Sequence, residues 1–270
     1  NYYGIGNYTT IENSFNSNPQ LYNYNSASAG FDARLRIPIR ESSESKIDVI
    51  SIINYDYKTP FNRSSSQLIE QQYPLGAEGN HSLHVGTGII WENRNDELRP
   101  TKGIYAETNF EVGQTWMGSG FNTFIFKAKG STYTSFHLIR EITWANRISI
   151  ENTQGEVPFW KLSSLGDEET LRGFPSKRFL DDNAILFNTE LRTWLFNIDM
   201  LESEFGGTLF FDIGRTYANG TSANTIMKDL KYSFGFGGTS SLFTPDFILR
   251  ADVGFSNEGI GIYFTSGYLF

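Results

Sequence analysis

The chain of 270 residues contains no cysteine, which excludes a disulfide framework and any cysteinyl metal site and leaves the compartment to be inferred from other features. No stretch approaches 18 consecutive apolar residues, so a helical membrane span is excluded as well. Basic residues are in the minority. The 22 Lys and Arg against 30 Asp and Glu leave a net charge of −8, with no basic stripe to meet phosphates, which argues against a nucleic-acid partner. Histidine is confined to His81, His84 and His137. The opening Asn1-Tyr2-Tyr3 has no charged segment followed by an apolar one, as expected of a mature protein or a fragment.

Aromatics, in contrast, are plentiful. There are 23 Phe and 14 Tyr, yet only 39% of residues are hydrophobic and the mean hydropathy is −0.35. A wall with one apolar face, one polar face and aromatic girdles shows this mixture. The length suits one large β-barrel, and no linker or composition shift divides residues 1–270, which are expected to form a single domain.

The apolar period is two. In residues 26–40, Phe31, Ala33, Leu35, Ile37 and Ile39 share one face, while Asp32, Arg34, Arg36 and Arg40 share the other. Residues 183–197 set Ile185, Phe187, Leu191 and Leu195 against Asn188, Glu190 and Arg192. Residues 204–217 set Phe205, Leu209, Phe211 and Ile213 against Thr208, Asp212 and Thr216, and residues 246–257 oppose Leu249, Ala251 and Val253 to Arg250 and Asp252. Trp194 and Phe210 interrupt the polar face. These runs exceed the roughly 5–6 residues usual for globular strands and match the 9–11 or so of a tilted membrane strand. About twelve of them start near residues 2, 27, 46, 81, 103, 121, 139, 183, 204, 230, 246 and 260.

The connections alternate in length. Long ones precede the second, fourth, eighth and tenth runs and short ones lie between, except that two connections on the long side, near residues 116–120 and 258–259, are short as well. Outer-membrane barrels sort their loops in this way, long outside and short in the periplasm; a soluble sandwich or propeller has no reason to. The expectation is therefore an all-β transmembrane antiparallel barrel. Closure follows because hydrocarbon offers backbone groups no partner, and the charged faces must then look into the lumen.

The longest connection, residues 152–182, includes GDEETLRGFPSKRF. Folded back into the barrel, Arg172 would find lumen-facing Glu190 or Asp212 for a charge-assisted pair. Gly173 would permit a tight turn and Phe174 would pack on the wall. The competing arrangement is a solvated loop in which Arg172 pairs with Glu168 or Glu169 and contributes little.

The C-terminal half resembles the bacterial surface antigen superfamily, the BamA/TamA-type outer-membrane barrels. The resemblance rests on Leu171-Arg172-Gly173-Phe174, on Glu190-Leu191-Arg192, on Gly207 followed by Phe210-Phe211-Asp212-Ile213-Gly214, and on the ending Tyr268-Leu269-Phe270. Upstream, Asn93-Arg94-Asn95-Asp96 with Pro100-Thr101-Lys102-Gly103, and Tyr3-Gly4-Ile5-Gly6-Asn7, are similar to further family elements. The resemblance implies that the long outer loop lies in the lumen, with Arg172 against Asp212. It also implies a bacterial outer-membrane location, a sixteen-strand barrel in the complete family fold, and a role in insertion, assembly or translocation of outer-membrane proteins. Client outer-membrane proteins, periplasmic partner chains and outer-membrane lipid would be the partners. The chain departs in lacking room for the soluble periplasmic domains usual in the family, and Thr265 stands where a glycine is usual.

Gly259, Gly261 and Gly267, near Tyr268 and Phe270, together with Gly4 and Gly6, suggest a weak seam between the last run and the first. The other explanation for these glycines is relief of crowding between aromatics. No catalytic residues, metal site or cofactor are expected. His81 and His84, three apart on a strand, face opposite ways, and Ser82 sits in no nucleophile elbow. A passive pore and an outer-membrane phospholipase are the alternative functions.

Overall fold

The alternation of period two is realised as one long antiparallel sheet. The computed structural model describes residues 1–7, 9, 19–198 and 203–270. Eleven strands follow one another: β1 (Asn25–Glu41), β2 (Lys46–Phe61), β3 (Asn80–Glu92), β4 (Gly103–Gly113), β5 (Thr123–His137), β6 (Glu141–Gly155), β9 (Asn183–Ile198), β10 (Ser203–Tyr217), β11 (Lys231–Leu242), β12 (Ile248–Ser256) and β13 (Gly259–Ser266). Neighbours in sequence are neighbours in space, and every pairing is antiparallel. Between β6 and β9 the long loop folds a small hairpin of its own, β7 (Ser163–Leu165) with β8 (Phe179–Asp181).

The two faces of the wall have opposite solvents. Outward, Leu35, Leu209, Ile262 and Phe264 are 61%, 61%, 65% and 81% exposed. That exposure is intolerable in water over so wide an area and expected against hydrocarbon. Aromatic pairs bridge adjacent strands on this face, as Phe234 and Phe255 do with ring centroids 5.8 Å apart. Inward, Asn188, Glu190, Arg192, Thr208, Asp212, Thr216, Arg250 and Asp252 are all buried.

The first of the twelve expected runs is not a strand. Residues 1–7 are irregular, because Gly4 and Gly6 hold φ at +93° and +112°, which an extended strand does not accept. Tyr2 instead donates its N–H to Tyr22 O at 2.8 Å, and Gly6 donates to Leu180 O at 2.6 Å. The expected seam between residues near 2 and the last strand is therefore not formed by this segment. Residue 8 of that run and residues 10–18 of the connection after it lie outside the described residues.

The apolar core lies inside the wall, under the long connections. Tyr2, Ile69, Ala77, Val157, Phe159, Leu162 and Leu180 form one cluster, drawn from the N-terminal segment and the connections after β2 and β6. Leu165, Leu171, Phe174 and Phe179 of the β6–β9 loop form another with Ala184 and Leu186 of β9. The loop thus supplies the second layer that a single-layer wall lacks.

Candidate functional site: the buried arginine cluster

The loop reaches the wall through a tight knuckle. Asp167 Oδ1 accepts from the N–H of Glu169 (3.0 Å) and Thr170 (2.9 Å) and from the Thr170 hydroxyl (2.7 Å), while Thr170 Oγ1 accepts from Gly166 N–H at 2.8 Å. An aspartate turning its own backbone in this way needs no neighbours to do it. The knuckle delivers Leu171 and Phe174 into the apolar cluster, where Phe174 meets Phe179 edge-on at 5.2 Å.

Arg172, between them, is fully buried. Its Nε and Nη2 donate to the two oxygens of Asp212 on β10, both at 2.8 Å. Its Nη1 donates to Glu190 Oε1 on β9 at 2.6 Å and to Asp252 Oδ2 on β12 at 3.2 Å. The guanidinium lies 3.4 Å from the centroid of the Phe210 ring. Phe210, the aromatic that interrupts a polar face in the sequence, is thus the platform beneath the cation. Desolvation opposes the charge on Arg172. The hydrogen bond with Asp212 and the charges of Glu190, Asp212 and Asp252 outweigh it and raise the guanidinium pKa above its ordinary value. Glu168 and Glu169 are not its partners among the described contacts; the carbonyl of Glu169 accepts instead from Arg147.

The carboxylates are shared. Glu190 also accepts from Arg250 at 2.8 Å and from Arg192 at 2.8 Å, and Asp252 accepts from Arg250 at 2.6 Å. Asn188 bridges Asp212 Oδ1 (2.7 Å) and the Thr170 carbonyl (2.9 Å). Three guanidinium groups and three carboxylates balance formally, the condition under which buried charges are tolerated. Each of the three carboxylates is held by a guanidinium. The chemistry of the network is attachment: one loop residue fastens β9, β10 and β12.

Gly173 lies where the loop backbone touches the wall. It has φ of +91°, and a Cβ there would come within 3.0 Å of the Gly254 and Phe255 carbonyl carbons. Ser256 Oγ donates to Gly173 O at 2.8 Å, and Gly173 N–H donates to the Tyr263 hydroxyl at 2.8 Å. Gly254 and Gly261 are opposite each other in the β12–β13 ladder. A Cβ on Gly254 would fall 2.8 Å from Gly173 N, and one on Gly261 would fall 2.2 Å from the Tyr263 hydroxyl. Both glycines make room for the loop and its tyrosine. Gly259 and Gly267 have open space around them and positive φ of +153° and +77°.

The last strand ends at Ser266, before the aromatic ending expected to complete it. Positive φ at Gly267 turns the chain inward. Tyr268 and Phe270 then lie over the Arg192 guanidinium at 4.2 and 4.9 Å, and Arg192 donates to Phe270 O at 2.9 Å.

Asp252, Asn188 and Tyr263 belong to this site although sequence reasoning did not select them. For Asp252 the signal existed, since the alternation already faces it into the lumen. A second buried arginine of the loop, Arg178, had no such signal. It makes a bidentate pair with Glu258 in the β12–β13 turn (2.6 and 2.8 Å) and donates to Thr9 Oγ1 at 2.7 Å. Of the histidines, His84 is buried against Thr123 Oγ1 at 2.5 Å and His81 contacts Gly118 O at 2.9 Å. Among the described residues no group of His, Asp and Glu is arranged to hold a metal.

The Omp85 superfamily domain matches residues 6–270. BamA from Haemophilus ducreyi lacking POTRA domains 1-3 superposes with a TM-score of 0.61 at 16% identity, over 91% of this chain and 54% of that one. CdiB from Escherichia coli gives 0.63 at 12% identity over 93% and 47%, and CdiB from Acinetobacter baumannii 0.58 at 14% over 91% and 43%. The chain spans about half the length of these structures, and at such identities the likeness is one of fold. No curated protein matches it in sequence. The family match, running over nearly all of an antiparallel wall with a lipid-like exterior and a polar lumen, places this chain in the Omp85 superfamily of bacterial outer-membrane β-barrels.

Proposed function

We propose that residues 1–270 form a single barrel domain that inserts, assembles or translocates outer-membrane proteins, with the β6–β9 loop as a docked plug. Membership of the Omp85 superfamily supports the general role. The observation that carries the reading is Arg172, buried among carboxylates of β9, β10 and β12. A loop tied to three strands keeps the lumen filled, which disfavours a permanently open pore. It also braces the wall up to β12 and, through Tyr263, to β13. The lipid-facing edge beyond β13 is where a client strand would add, since an unpaired strand edge templates another strand. Arg172 and its partners act as a brace in this reading, with no catalytic part. Client barrels and periplasmic partner chains remain the proposed partners.

Reconstitution tests this. Liposomes containing the protein should fold a client outer-membrane barrel faster than empty liposomes, and planar bilayers should show small or brief openings. Large steady conductance without acceleration of folding would assign the chain to the passive pores instead.

A further inference from the structure

The lipid face of the wall carries a recess of about 330 Å³ across β3 to β6. Its form follows from the register. Ala106 on β4 is opposite Gly130 on β5, and Thr108 is opposite Ala128, so two successive outward rungs are floored by small side chains. Ile89 and Trp91 on β3 stand along one side of this trough, and Ile148 and Ile150 on β6 along the other. Toward the outer end the next rung, Phe110 opposite Phe126 with ring centroids 4.9 Å apart, closes it. The packing of the chain does not impose glycine at position 130. A Cβ there would meet nothing nearer than Ile148 Cγ2 at 3.9 Å, and its φ is not positive. At Gly86 and Gly88 on β3, by contrast, a Cβ would fall 2.5 and 2.3 Å from a backbone oxygen.

At the periplasmic end of the trough the next rung changes character. Thr132 on β5, Asn146 on β6 and Thr189 on β9 are in register there, a polar line facing lipid. Thr189 donates to Asn146 Oδ1 at 2.8 Å and accepts from Trp144 Nε1 at 2.8 Å. The Asn146 amide nitrogen and the exposed Thr132 hydroxyl make no hydrogen bond among the described residues. Hydrocarbon offers such donors no partner. Phe136 and Trp144, both exposed, lie nearer the periplasmic turn on the same face and mark the aromatic girdle. The polar rung therefore lies just inside that girdle, at the depth of lipid ester groups, and the trough runs from it toward the midplane as an acyl chain does.

We propose that the trough is a binding site for one phospholipid of the periplasmic leaflet. An acyl chain lies on Ala106, Ala128 and Gly130, and the ester carbonyls accept from the Thr132 hydroxyl and the Asn146 amide. The occupant follows from continuity: the recess opens on the surface that lipid covers, and its polar margin offers donors to a molecule whose ester groups only accept. Packing in the trough gains no hydrophobic energy over bulk lipid, so dispersion contact and the two satisfied donors hold the molecule. The site is independent of the insertion role, and its test does not use client folding.

The test is photolabelling in liposomes of a diester phosphatidylethanolamine that carries a diazirine midway along one acyl chain. After irradiation and digestion, the label should be several-fold denser on residues 104–110 and 126–132 than on the lipid face of β11 and β12. Gly130→Leu, for which the backbone has room, fills the trough and should bring labelling down to that reference level. Asn146→Leu should lower the enrichment about three- to tenfold, the worth of one hydrogen bond in a membrane. A dialkyl ether lipid with the same probe, which lacks the carbonyls, should lower it likewise and needs no substituted protein. Heat-modifiable migration reports whether each variant has folded. Labelling spread evenly over the wall would overturn the proposal, as would enrichment that persists in folded Gly130→Leu or with the ether lipid. Labelling of the trough below the reference level would mean that a protein chain covers it, and would overturn the proposal too.

Discussion

Two stretches of the same lumen wall use the same ions in different settings. On β1, Arg34 and Arg36 reach Glu107 and Glu92 at 3.4 and 3.1 Å, and Arg36 also meets Asp48, but their side chains are 46% and 38% exposed. On β9 to β12, the side chains of Arg172, Arg192 and Arg250 are 0%, 3% and 1% exposed. The ladder on β1 ties strands of the wall to one another, Arg34 to β4 and Arg36 to β2 and β3. The cluster under the loop joins a loop residue to β9, β10 and β12, with both sides of every pair buried. Exposed pairs are screened and contribute little each, whereas breaking a buried one leaves its partners charged and unpaired. What separates the two walls is the cover.

The comparison can be broken most sharply at Arg172. Arg172→Ala should leave a folded barrel but weaken loop docking by about 3–5 kcal/mol, because three carboxylates lose their shared donor. Lower heat-modifiability and easy proteolysis within residues 153–182 are the expected readouts, and unchanged protection would remove the joint from consideration. Gly254→Ala tests the close approach without touching a charge. Its Cβ would lie 2.8 Å from Gly173 N, backbone that cannot swing aside. Overpacking of this kind costs about 1–3 kcal/mol, so cleavage in the same loop should rise to an intermediate level.

Glu258→Gln reduces the tie to Arg178 and should cost about 1–2 kcal/mol, the pair being buried on the arginine side and 20% exposed on the other. Faster hydrogen exchange confined to residues 257–263, with loop 153–182 still protected, would show that the two arginines of the loop act separately. Arg36→Gln should cost about 1 kcal/mol, since the arginine is 38% exposed and Glu92 keeps Arg94, although Asp48 and Glu92 are themselves buried. A larger loss in thermal unfolding would mean that cover is not what distinguishes the two walls.

Strand starts were legible to within a few residues, since side chains pointing alternately at lipid and water leave a period-two record along the chain. The exception is the run expected near residue 2: Gly4 and Gly6 take positive φ, and Tyr2 packs into the cluster under the loops. Glycine permits both outcomes, and only the tyrosines' neighbours decide between them. Arg172 with Asp212 was legible through a motif resemblance. Arg178 with Glu258 was not, because a glutamate in a short turn looks the same whether or not a loop arginine reaches it.

Alone, the order of amino acids determined which residues face hydrocarbon and which face the lumen, and that the chain builds a membrane wall, because that sorting is local and repeats every second residue. The tertiary structure decided which carboxylates Arg172 shares, why Gly254 and Gly261 are bare, and where Tyr268 and Phe270 turn inward. Those outcomes depend on contacts between segments far apart in the chain, and alternation along one strand carries no record of what comes to lie above it.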